Sequence, residues 1–101
     1  MSEVDLDPVI HSASRLRVVA TLAALERGDR ISFPRLGKLL DMTAGNLSTH
    51  LRRLEDAGYV TQTKTHVGRT PATYVELTAA GRLAFERYTQ TLTELLKGAR
   101  P

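Results

Sequence analysis

The sequence predicts a mainly α-helical domain carrying one small β-ribbon, and three observations predict it. Thr43 to Val60 combines a helix cap, a leucine stripe at the helical period and a terminating glycine. Tyr59 to Leu77 is rich in β-branched, roughly alternating residues and is interrupted by a Gly-Arg-Thr-Pro turn. Thr78 to Lys97 then offers a long helix whose apolar residues fall close to heptad spacing.

Each element has its own signals. Residues 1–10 carry Glu3, Asp5 and Asp7 and no base, and read as an acidic arm leading into the first helix. Ser12 or Ser14 is placed to cap that helix, whose stripe is Leu16, Val19, Ala20 and Ala23, with Leu22 as a further candidate, ending at Gly28-Asp29. Ile31 follows as a candidate very short strand. Ser32 caps a second helix, in which Pro34 is tolerated because a first-turn residue has no intrahelical use for an amide hydrogen. Leu36, Leu39 and Leu40 supply its buried face. Asp41-Met42 connects it to Thr43, whose hydroxyl accepts from an N–H two or three residues on. Helices separated by about three residues have the spacing of a helix-turn-helix. In the third helix, residues 43–57, Leu47, Leu51 and Leu54 form the buried face, and Gly58 stands where a left-handed residue ends a helix. The ribbon, residues 59–77, turns at Gly68-Arg69-Thr70-Pro71 and returns along Thr73 to Leu77. Thr78 caps the last helix, residues 78–97, whose stripe is Leu83, Ala84, Tyr88, Leu92, Leu95 and Leu96. It is longer than the core beneath it needs. The domain is placed at 11–97, with 98–101 as a tail.

With 101 residues and 42% hydrophobic content, the chain has room for one domain with a modest core. The absence of cysteine excludes a disulfide framework and a thiolate metal site. No apolar run approaches the length of a membrane span and no basic-then-apolar leader opens the chain, so a cytoplasmic location is expected. The formal net charge is +3, and its distribution says more than its total. Thr43 to Ala72 holds Arg52, Arg53, Lys64 and Arg69 against Glu55 and Asp56, so basic charge sits on the third helix and the ribbon.

Rotation at about 100° per residue puts Gly45, Ser48, Thr49, Arg52 and Asp56 opposite the leucines, with Asn46 and Arg53 flanking. This set is short, hydrogen-bonding and cationic, as a helix lying in a groove of DNA requires. An ordinary solvated face, with Arg52 and Asp56 paired four apart, is the bland reading, and the basic ribbon beyond the helix tips the balance against it. Gly45 is a poor helix former, which suits either close backbone approach to DNA or a loosely wound first turn. His50 lies beside the leucine stripe as a packed or capping residue. His11 and His66 have no metal-site spacing with a carboxylate, so no metal is expected.

Helix, helix, reading helix, ribbon and terminal helix follow the order of a winged helix-turn-helix. The run NLSTHLRRLEDAGYV, the turn VGRTPATY and the closing LTAAGR together resemble the short single-domain winged-helix regulators related to the MarR, ArsR and PadR groups, over roughly residues 10–97. The resemblance implies that the third helix enters the major groove, that the wing touches flanking backbone or minor groove, and that the terminal helices form a homodimer. It points to Thr43, Gly45, Asn46, Ser48, Thr49, Arg52 and Arg53 on the helix and to Lys64, His66 and Arg69 on the wing. Leu83, Tyr88, Leu92, Leu95 and Leu96 are the expected dimer contacts. The wing turn departs from the MarR pattern in carrying no acidic residue.

Sequence-specific binding of double-stranded DNA by a dimeric transcription regulator is therefore the expected function, with no cofactor; the sequence does not say whether an effector exists. The alternative is a winged helix used for protein contacts without DNA, which apolar residues on the outward face of the third helix would favour. Catalysis finds no support: there is no Gly-rich phosphate loop, no Gly-x-Ser-x-Gly elbow and no cysteine nucleophile.

Overall fold

The structure, a computed structural model, describes residues 6–98. The order is α1 (Ala13–Ala23), β1 (Ile31–Ser32), α2 (Phe33–Leu40), α3 (Ala44–Asp56), β2 (Val60–Val67), β3 (Thr70–Leu77) and α4 (Ala79–Gly98). The strands form one antiparallel sheet in the order β1-β3-β2. β1 is the candidate short strand, pairing Ile31 with Val75 and Ser32 with Tyr74. It covers only the base of β3, so β2 and β3 continue outward as a two-stranded wing.

The caps fall where the local chemistry places them. Ser32 accepts from the Arg35 N–H at 3.4 Å, and Thr43 accepts from the Asn46 N–H at 3.1 Å. Between them Asp41 takes the left-handed conformation (φ 53°, ψ 49°), one of the few side chains that tolerates it, and this reverses the chain from α2 into α3. At the far end of α3, Gly58 (φ 82°) lets its own N–H reach Glu55 O and the Tyr59 N–H reach Leu54 O, the paired bonds of a Schellman stop. Thr78 joins two elements: its Oγ1 accepts from the Gly81 N–H at 2.9 Å to cap α4 and donates to Gly58 O at 2.7 Å.

Val18, Val19 and Leu22 of α1, Leu36 and Leu40 of α2, and Leu47, Leu51 and Leu54 of α3 close over Ile31, Val60, Val75 and Leu77 of the sheet. Two helical stripes differ from expectation. Val18 is buried and Ala20 exposed, because α1 turns its valine pair to the core, with Ala23 half-buried against it. Leu39 is 60% exposed: Leu36 and Leu40, one turn apart, take the inward line of α2, and Leu39 falls about 80° to one side of it. Ser12 is the α1 N-cap by position, without a side-chain cap bond. The expected four-residue wing turn contracts to Gly68-Arg69, since Val67 pairs with Thr70 and His66 with Pro71. Gly68 supplies positive φ (64°) at the first turn position, the type II′ pattern that matches strand twist. Pro71 is admissible in β3 because that stretch lies beyond the reach of β1.

Part of the stretch read as an acidic arm is folded onto the body. Ile10 is fully buried, Asp7 accepts from the Tyr59 hydroxyl and from the Val9 N–H, and Arg15 Nε donates to Val9 O at 2.6 Å. Glu3 and Asp5 lie outside the described residues. The Tyr59–Asp7 bond raises the phenol pKa above its usual value, because ionisation would put phenolate beside carboxylate; burial adds to the shift.

α4 packs on α1, with Arg82 Nη1 donating to Ala23 O at 3.3 Å, and then runs past the body, giving extents of 59 × 25 × 21 Å. Its inward side consists of buried Gly81 and Tyr88 with half-buried Phe85. No helix among the described residues is long and apolar enough to cross a membrane.

Candidate nucleic-acid interface

α3 is held by its leucines, all three fully buried, and this fixes what it shows to the outside. Thr43, Gly45, Asn46, Ser48, Thr49, Arg52 and Arg53 are all exposed, and no apolar side chain larger than Ala44 or Ala57 is exposed on the helix or its caps. The Thr49 hydroxyl donates to Gly45 O at 3.0 Å, which occupies its proton and leaves its lone pairs to accept from a partner. The first turn is regular helix, so loose winding does not account for Gly45. An ideal Cβ built there meets nothing within 4 Å; nothing among the described residues requires the glycine.

The wing rises beside this face. Lys64, His66 and Arg69 are exposed, with Arg69 in the two-residue tip and Lys64 paired with Thr73 halfway along. Between α3 and the wing lies a cleft of about 550 Å³ lined by Ser48 and Glu55 of α3, Gln62 and Lys64 of β2, Thr73 of β3 and Phe33 of α2. Gln62 Nε2 donates to Glu55 Oε1 at 3.3 Å across it. The backbone fold thus brings helix and wing together as one surface, with polar donors on both walls.

Sequence reasoning missed several members of this surface. Gln62 and Thr73 were read only as strand residues, and the signal was their even spacing from Lys64 across a hairpin. Arg35 and Lys38 are exposed on α2, adding cations beside the turn into α3; both precede the Thr43 to Ala72 stretch that carries the other basic residues of this surface. His50 is packed, its Nδ1 enclosed without a hydrogen-bond partner among the described residues, and it does not cap the helix.

The expected dimer stripe needs correction. Tyr88 is buried inside its own chain, its hydroxyl 2.9 Å from His11 Nδ1, because the N-terminal segment folds back over α4. Leu83 is exposed but points away from the rest: at about 100° per residue it lies opposite the line through Gly81, Phe85 and Tyr88, whereas Leu92, Leu95 and Leu96 fall within about 60° of that line. The inward stripe of α4 therefore continues beyond the body. Leu92 is half-buried there, and Leu95 and Leu96 are exposed.

A short helix capped into a polar outward helix, flanked by a twisted two-stranded wing, defines a winged helix-turn-helix protein. The chain belongs to the winged helix DNA-binding domain family, whose sequence profile matches residues 14–96. It is 33% identical over 89 residues to an uncharacterized protein of Methanocaldococcus jannaschii, covering 88% of this chain and 94% of that one. Among solved structures it is similar to a transcriptional regulator homologue from Pyrococcus horikoshii, with a TM-score of 0.84, 30% identity, and coverage of 94% of this chain and 91% of that chain. The fold is also that of Staphylococcus aureus MepR in a structure of its DNA complex, with a TM-score of 0.72, 20% identity, and coverage of 89% and 71%. The Pyrococcus horikoshii protein is a transcriptional regulator homologue, and MepR is a transcription regulator of the Staphylococcus aureus multidrug efflux pump MepA.

Proposed function

We propose that this protein is a sequence-specific DNA-binding transcription regulator that works as a homodimer, with α3 in the major groove of each half-site and the wing on the flanking backbone or minor groove. One observation carries the reading: the outward face of α3 is polar, cationic and free of large apolar side chains, beside a protruding wing that adds three exposed basic or imidazole side chains. A protein-docking helix would present apolar anchors there. The fold's occurrence in a MepR–DNA complex supports the same reading.

The roles divide by chemistry. Arg52, Arg53, Lys64 and Arg69 supply charge against phosphates, which gives affinity that falls with salt. His66 adds a hydrogen-bonding side chain on the same strand as Lys64. Thr43 and the positive end of α3 suit a phosphate at the helix N-terminus. Asn46, Ser48 and Thr49 lie where base edges come within reach, and Gly45 lets the helix approach closely. The second copy packs on the protruding part of α4 through Leu92, Leu95 and Leu96. Two-fold symmetry then sets half-sites about one helical turn apart, about 34–36 Å.

Selection of bound sequences from random duplex DNA, followed by a salt titration of the winner, tests this. A palindromic motif and a steep salt dependence are expected; absence of both would move protein docking into first place. Arg69→Ala should weaken all sequences alike and reduce the salt slope by about 1. A change of preference at one base pair, with non-specific binding intact, would contradict the role given to the wing.

A further inference from the structure

Glu55 is a carboxylate at the margin of the surface proposed above to face DNA. It is exposed on α3, on the edge of the outward face nearest the wing, and it lines the cleft between helix and wing with Ser48, Gln62, Lys64 and Thr73. Among the described residues lining that cleft it is the only acidic one. The Gln62 amide, 3.3 Å away, holds the carboxylate toward β2. An acid that served only to keep the helix soluble would need no partner from the neighbouring strand.

The chemistry of a carboxylate narrows what it accepts. It has acceptors and no donor, so it repels phosphate oxygens and finds no bond on the N7 and O6 edge of guanine or the O4 of thymine. Cytosine presents an N4 amino donor in the major groove, and carboxylate acceptance from that group is a standard base contact. Adenine offers an amino group beside an acceptor and is a poorer match. Lys64, in the same cleft, keeps the local charge from turning negative, so the backbone is still held while the Glu55 position stays selective. An element that rejects wrong partners contributes to specificity as much as one that attracts the right one.

We infer that Glu55 is a specificity determinant of this regulator: it accepts a hydrogen bond from a cytosine amino group in the major groove and excludes phosphate and the acceptor-only edges of guanine and thymine from that position. Gln62 is its positioning residue. The inference rests on the DNA-reading function proposed above.

Sequence selection with the wild-type protein and with Glu55→Gln tests it, together with affinities for the selected duplex and a scrambled duplex at one salt concentration. The substitution keeps side-chain size and a carbonyl that still accepts from Gln62, so equal melting curves accompany the comparison. Wild type should select cytosine at one position per half-site. Glu55→Gln should relax that position alone and lower the ratio of specific to scrambled affinity by roughly tenfold, the discrimination expected of one base contact. The same motif from both proteins, with both affinities raised by one common factor, would overturn the inference and leave Glu55 as bulk charge. Relaxation by Gln62→Ala with none from Glu55→Gln would overturn it too, reducing the pair to a brace for the wing. Failure of the underlying DNA reading is separately visible, since the wild-type arm alone would then select no motif.

Discussion

α3 and α4 begin alike, each with a threonine cap and a glycine in the first turn or just after it: Thr43 with Gly45, Thr78 with Gly81. The two glycines have opposite causes. A Cβ on Gly81 would stand 2.2 Å from Tyr59 O and 2.8 Å from a Leu77 methyl, so α4 can dock against the end of β3 only with a bare backbone there. A Cβ on Gly45 would meet nothing, and yet a glycine inside a helix is a poor former. One residue is explained from inside the chain and the other has no internal reason. The same division separates the two parts of α4, whose apolar stripe is covered by the body up to Tyr88 and bare at Leu95 and Leu96.

The largest expected effect is at Gly81. Gly81→Ala should destabilise the fold by about 3 kcal/mol or more, because the obstacle is backbone oxygen that cannot move aside without shifting α4. Chemical denaturation measures it; a loss under about 1 kcal/mol would mean the docking of α4 is slack. Next comes the bare stripe. Leu95→Glu with Leu96→Glu should leave the melting of the body nearly unchanged while shifting sedimentation to monomer and weakening binding to a palindromic site by about 100-fold, through lost avidity. A variant that still sediments as a dimer would place the interface elsewhere.

Gly45→Ala sharpens the contrast because stability and binding should move in opposite directions. Helix propensity predicts a gain of about 1 kcal/mol in folding, while close approach to base edges predicts weaker operator binding. A stabilised variant with undiminished binding would remove the external reason for the glycine. The smallest effect belongs to the tie between Tyr59 and Asp7. Since the folded-state pKa of Tyr59 is raised, the stability it contributes is fully present below its ordinary value of about 10 and is lost as pH rises through the folded value. Tyr59→Phe should therefore lower stability by at most about 1 kcal/mol near neutrality, discounted for partial exposure, with the difference closing in strong alkali. A difference that widened with pH would reverse the assignment of the bond.

Much of the surface formed by α3 and the wing was legible because its signals are local. The threonine caps, the leucines of α3, Gly58 and the alternating ribbon each speak through residues within a few positions, and the outward set follows from them by rotation. The cleft was not legible, since Gln62, Thr73 and Phe33 reach it only when the sheet and α2 close around α3. Arg35 and Lys38 were readable as cations but not as neighbours of α3.

By itself the sequence determined which segments are helix and strand, where α2 and α3 start and stop, and which side of α3 faces out, because capping, propensity and amphipathic period act over one or two turns; it did not stop α1 at Ala23, short of the expected Gly28-Asp29, or contract the wing turn to two residues. Tertiary structure decided the rest. It buried Tyr88 against His11 across 77 residues, tied Asp7 to Tyr59 across 52, turned Leu39 and Leu83 to solvent, and gave Gly81 its necessity. These depend on which distant atoms fill a given volume, and an apolar stripe in one helix states that it will be covered without stating by what.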